Sequence, residues 1–194
     1  PPQQRSNQLL VNYVDYPFSW RTEVLADLKD NMPEADVFLM PPEDRSRYSQ
    51  KSKVEKFQEW NAYKTTLILP VDQDLSTRVF DAILAGQVPI IPEMVLDLDK
   101  AIPPEMQQKL GIVRIPNDFS ILALRRAWRQ AIHNFDQAGV SGIMFRQHYI
   151  LHNHMLRHRV YAMLQAILDL PQQNLTPALS FIENTMAATF IQNA

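Results

Sequence analysis

The sequence predicts an α/β fold, a parallel sheet wound with helices on both faces and closed by a helical C-terminal extension. Three observations carry this expectation. Short apolar runs alternate with helix-period segments as far as residue 115, the pattern of successive strand–helix–strand units. One of those runs, "TTLILPV" (65–71), is almost continuously apolar, as expected of a strand covered on both faces. From Ser120 onward the character is purely helical. A core over 1–119 and a helical extension over 120–194, packed on it as one domain, is the expected organisation.

The elements follow in order. "QLLVNYV" (8–14) reads as the first strand, and "SWRTEVLADLKDN" as a helix with Val24, Leu25 and Leu28 at helical spacing. "ADVFLM" (35–40) is the second strand. "SKVEKFQEWNAY" (52–63) places Val54, Phe57 and Trp60 or Asn61 on one face of an amphipathic helix. After the strand 65–71 comes "STRVFDAILAG", a helix with Ser76 as N-cap and Gly86 just past its end, and Val88–Ile91 starts the next strand. "GIVRI" (111–115) is one more strand. Ile121, Leu124, Trp128, Ile132 and Phe135 form a helical stripe, a second long helix spans about 142–169, and a last one is expected over 175–191.

Composition excludes several classes of function. Nineteen basic and 21 acidic side chains leave a net charge of −2, so bulk electrostatics gives no reason to expect nucleic acid or an anionic membrane as partner. No apolar run approaches the ~20 residues of a transmembrane helix. The chain has no cysteine and no signal-peptide pattern, and on that ground a cytoplasmic location is expected. Its four glycines cannot write a phosphate loop or a dinucleotide fingerprint, so phosphate binding would fall to a helix N-terminus. His148/His152 and His154/His158 have zinc-like spacing, but the pairs point to different sides of a helix and no metal site is expected. The Arg125, Arg126 and Arg129 patch reads as a solvated helix face.

The segment from Ser76 to Asp81 is where the residue types admit two readings. Beyond the carboxyl ends of parallel strands, helix N-termini point at ligands, and first-turn N–H groups favour a diphosphate. Thr77 and Asp81 share a face, and Arg78 adds a charge-assisted contact to a phosphate. Equally, Ser76 is a plain cap and Arg78–Asp81 an exposed i, i+3 pair contributing a few tenths of a kcal/mol.

"STRVFDAILAGQVPII" (76–91) resembles the donor-site helix and strand of GT-B glycosyltransferases, in the nucleotide-sugar-binding C-terminal half of exostosin-like and group 1-like members. "NAYKTTLILPVD", "WRTEVLADLKD" and "RQHYILHNHMLRHRVYAMLQAIL" resemble neighbouring segments of the same class, so the likeness runs in order over about residues 8 to 169. It implies a Rossmann-like domain that binds a nucleoside diphosphate sugar as substrate, with no cofactor and no metal. Asp81 would contact the ribose, while Ser76, Thr77 and Arg78 would face the diphosphate. Lys64 and Arg21 are implied as further cations. Growing negative charge on a departing diphosphate is what such groups stabilise.

The resemblance also implies a second Rossmann-like half that supplies the site for an acceptor, whether glycan, protein or lipid. The start at Pro1 fits a C-terminal part of a longer enzyme. Two other classes remain: a non-catalytic binding module that has kept the fold and lost turnover, and an interaction domain working through the helical tail.

Overall fold

The computed structural model describes residues 4–169 apart from 17, 45 and 47–49. The helix expected over 175–191 lies outside the described residues. Five parallel strands form one sheet in the order β2-β1-β3-β4-β5. They are β1 (Ser6–Val14), β2 (Ala35–Met40), β3 (Tyr63–Leu67), β4 (Val88–Pro92) and β5 (Val113–Ile115). The helices are α1 (Trp20–Asn31), α2 (Lys53–Asn61), α3 (Arg78–Leu84), α4 (Asp97–Ala101), α5 (Pro104–Leu110), α6 (Ile121–Asn153) and α7 (Leu156–Leu168). This is the expected Rossmann-like architecture, and α4 and α5 are additions to the sequence reading. Pro104 in the first turn of α5 and Gly111 just after it are the punctuation that marks such a helix.

Strand alternation divides the side chains of the sheet between two faces. Leu9, Val11 and Tyr13 of β1 join Leu67, Val88, Ile90 and Ile115 beneath Leu25 and Leu28 of α1 and Leu124, Ala131 and Phe135 of α6. Asn12, of the opposite parity, meets α2 and α3. The register Leu9↔Thr65 and Thr65↔Val88 aligns the carboxyl ends of β1, β3 and β4 along one edge of the sheet.

β3 begins earlier and ends sooner than the run 65–71 suggests. The Tyr13 hydroxyl donates to the Leu67 carbonyl at 2.9 Å and accepts from the Leu69 N–H at 2.7 Å. One side chain thus takes the bonds that a longer β1–β3 ladder would have made, and the two strands part there.

Residues 1–151 form one compact unit, and a second begins at His152. The change at Ser120 is therefore a change of secondary structure within the first unit, because the helix that follows supplies Leu124, Ala127, Ala131 and Phe135 to the core of the sheet. Gly139 breaks α6, with φ 54° and ψ −147°, where the sequence reading left a gap between two helices. The helix expected over 142–169 is interrupted as well, between α6 and α7. The second half of α6 packs close to the turn after α3: a Cβ on Gly86, whose φ is 78°, would meet Ile143 Cγ2 at 2.7 Å.

Arg5 and Arg146 close that same turn. Arg5 Nη1 donates to the Ala85 carbonyl at 2.9 Å, and Arg146 Nε donates to the Gly86 carbonyl at 2.9 Å. Cations on the last carbonyls of a helix are favoured by hydrogen bonding and by the helix dipole. Burial lowers the pKa of Arg146 to about 10, with the charge of Arg5 adding to the effect, so it stays protonated at neutral pH.

Candidate functional site

In the strand order 2-1-3-4-5 the connections reverse direction between β1 and β3, and ligands of doubly wound sheets bind at the carboxyl edge of that switch point. A cleft of about 170 Å³ lies there, lined by Tyr13, Tyr16, Arg21, Asp74, Ser76 and Arg78 among others. It opens between the loop after β1 and the loop after β3. Each loop holds one non-glycine residue at positive φ, Phe18 at 66° and Gln73 at 61°. Such strained backbone clusters at binding sites, where the surrounding structure holds it in place. Phe18 is fully exposed.

Two guanidinium groups share the ring of Tyr13. Arg78 stacks on it at 4.5 Å and on Trp60 at 4.8 Å. Arg21, which is 5% exposed, lies 4.7 Å from the Tyr13 ring and 5.1 Å from that of Tyr16. Among the described residues no carboxylate pairs with either arginine. The nearby Asp74 accepts instead from the backbone N–H groups of Val71 and Asp72. The buried Nε of Arg21 and that of Arg78 make no hydrogen bond among the described residues. Desolvation lowers the pKa of Arg21, and repulsion from Arg78 contributes in the same direction. The cleft therefore holds two guanidinium groups with no carboxylate in salt-bridge contact among the described residues, and the carboxylate of Asp74 lines the same space.

Beside it, between α2 and α3, a cavity of about 530 Å³ is lined by Lys53, Lys56, Phe57, Trp60, Arg78, Asp81 and Leu84. Trp60 anchors α2: it is 5% exposed, and Gln87 Nε2 donates to its carbonyl at 2.6 Å. A third cavity, of about 370 Å³, lies on the β2 side of α2 with Phe38, Met40, Glu55 and Glu59 in its wall. Arg78 belongs to the wall of all three.

The expected site residues are thus partly brought together. Ser76 and Arg78 meet in the switch-point cleft, and Arg78 and Asp81 in the larger cavity. Thr77 is exposed, lines neither space, and takes the position of N-cap expected for Ser76. Ser76 still acts as a cap through its Oγ, which accepts from the Arg78 N–H at 3.3 Å.

The first-turn N–H groups expected to face a phosphate are occupied. Those of Val79, Phe80 and Asp81 bond the carbonyls of Ser76 and Thr77. With α3 only seven residues long, its dipole is also short, so binding of an anion here would rest on side chains. Lys64 is a correction. It stands near the start of β3, at the amino edge of the sheet, where its Nζ pairs with Asp136 Oδ1 at 2.7 Å. A residue that opens a parallel strand cannot reach a crevice beyond the strand's other end.

Sequence reasoning missed Asn12, Tyr13 and Trp60. The alternation of β1 was a usable signal, because it puts a buried Asn and a Tyr side by side at the end of a strand next to the switch point.

Asp81 is exposed, yet the cavity walls desolvate its carboxyl enough to raise its pKa, against the opposing pull of Arg78. A carboxyl whose folded-state pKa lies above its unfolded value destabilises the fold once it is ionised and costs nothing while both states are protonated. Asp81→Asn is therefore expected to raise the melting temperature slightly near pH 7 and to leave it unchanged below about pH 3. Thermal melts of both proteins at the two pH values check this.

Comparison with protein families, with curated proteins and with solved structures finds no match to this chain.

Proposed function

We propose that this chain is the donor-binding domain of a glycosyltransferase and binds a nucleoside diphosphate sugar for transfer to an acceptor. The observation that carries the reading is the pair of guanidinium groups, Arg21 and Arg78, stacked on Tyr13 at the switch point of a parallel sheet. A diphosphate answers both charges. The adjoining cavity supports the rest of the ligand, with aromatic Phe57 and Trp60 for a base and the carboxyl of Asp81 for a ribose hydroxyl. As charge grows on the departing diphosphate, fixed cations in a partly dry cleft stabilise it without having to reorganise. On this reading the acceptor and any general base come from a second half, in a longer chain or a partner.

Calorimetric titration with UDP, GDP and ADP and their sugars tests the proposal. At least one is expected to bind with a Kd of about 1 mM or tighter, about −4 kcal/mol or better. No binding by any of them at millimolar concentration overturns it. Binding with no glycosyl transfer by the full-length protein would favour the non-catalytic module.

A further inference from the structure

We infer that Asn12 is a positioning residue that keeps the charge of Arg78 available to an anionic ligand, by standing as a neutral spacer between that guanidinium and the carboxylate of Glu59. The inference rests on the proposed reading of the cleft as an anion site and adds to it the device that keeps the site charged.

The geometry is a four-membered polar chain. Lys51 Nζ donates to Glu59 Oε2 at 2.8 Å, and Asn12 Nδ2 donates to Glu59 Oε1 at 3.0 Å. On the other side of the amide, Arg78 Nη2 donates to Asn12 Oδ1 and, at 2.8 Å, to the Asn12 backbone carbonyl. The amide can stand only one way round. A carboxylate only accepts and a guanidinium only donates, so Nδ2 must face Glu59 and Oδ1 must face Arg78. Asn12 is 6% exposed and fixed on β1, so it cannot swing aside.

Among the described residues, the groups that hydrogen-bond or stack on the Arg78 side chain are neutral, namely the amide and carbonyl of Asn12 and the rings of Tyr13 and Trp60, while the Asp81 carboxylate acts on it across the adjoining cavity without pairing. The negative charge of Glu59 is one residue further out and is shared with Lys51. A carboxylate placed directly on Arg78 would form a partly buried ion pair, and an incoming phosphate would then have to displace it. An amide orients the same guanidinium without cancelling its charge.

A charge exchange tests this. Asn12→Asp combined with Glu59→Gln keeps the net charge, the shapes and a donor–acceptor match across the pair, and moves the carboxylate from the far side of the spacer to the face of Arg78. Inorganic pyrophosphate is titrated calorimetrically into the full chain and the doubly exchanged chain, with melting temperatures measured in the absence of ligand. The native chain is expected to bind, and the exchange to lose about tenfold or more in affinity. Its melting temperature should stay within a few degrees, and its affinity should depend less steeply on salt. Asn12→Asp alone is expected to lose at least as much affinity, because the new carboxylate again faces Arg78. Pyrophosphate binding within about threefold of native by the folded, exchanged chain overturns the role of Asn12 and leaves the anion site standing. No pyrophosphate binding by the native chain overturns the anion site and the inference with it.

Discussion

Phe135→Ala is expected to destabilise the first unit by about 3–5 kcal/mol, the usual cost of emptying a buried aromatic site. Phe135 is fully buried, and its ring is approached by three cations, Arg146 at 5.3 Å, Arg5 at 5.6 Å and Lys64 at 5.8 Å. The one carboxylate shown to pair with any of them among the described residues is Asp136, with Lys64. The ring is thus both a wedge and the counter-surface that makes three neighbouring positive charges tolerable. Phe135→Leu keeps most of the volume and loses the aromatic face, and about 1–2 kcal/mol is expected for it. Urea titrations followed by tryptophan fluorescence measure both. A cost below about 1 kcal/mol for the alanine variant would mean that the cations do not depend on the ring.

Arg78→Ala is expected to weaken binding of the preferred nucleoside diphosphate by about 10- to 100-fold, the loss of one charge-assisted contact of about 1.5–3 kcal/mol. Arg78→Lys keeps the charge but neither the planar stack between Tyr13 and Trp60 nor the two bonds to Asn12, so it should recover only part of the affinity. Calorimetry with the same nucleotide on the three proteins checks the order native, lysine, alanine. Native-like affinity in the alanine variant would remove Arg78 from the site and take the proposed function with it.

How much of this was legible in the sequence depends on the range of the interaction. Alternation of apolar runs and helical periods revealed β1, β2, β4 and α1 to α3, because those patterns are local and each element has a face to bury. The ends were less legible. The stop of β3 at Leu67 is dictated by the Tyr13 hydroxyl, and nothing within "TTLILPV" announces a side chain from another strand. The short α4 and α5 have too few turns for a period to show. The break before α7 divides what reads as one continuous helix over 142–169, since a run of apolar residues does not reveal where one helix stops and another starts.

For the candidate site, the segment 76–81 was singled out in the sequence, and the structure places its groups differently from the expectation. Ser76, Arg78 and Asp81 do line the crevice and its neighbour. The expected contribution of backbone N–H groups is spent inside the first turn, because Ser76 and Thr77 already supply acceptors there. What replaces it is a stack of Trp60, Arg78, Tyr13, Arg21 and Tyr16 drawn from α2, α3, β1, α1 and the loop between the last two. No spacing in the chain encodes such a stack; it exists only once parallel strands have brought their carboxyl ends level. Lys64 shows the converse: the resemblance implied it as a further cation, and its position near the start of β3 puts it at the opposite edge of the sheet.

The turn after α3 has a consequence in time. Its carbonyls at Ala85 and Gly86 are held by Arg5, near the beginning of the chain, and by Arg146, near the end of the first unit. A chain emerging from the ribosome exposes that turn long before its second partner exists. Until residue 146 is free, α3 has an unsealed end and the sheet lacks the α6 layer that covers one face. A protein cut at the apparent end of its α/β pattern, near residue 119, would be held in that unfinished state. Assembly is therefore completed from the distal end of the unit, and a segment that lines none of the three cavities around Arg78 is the one that brings folding to completion.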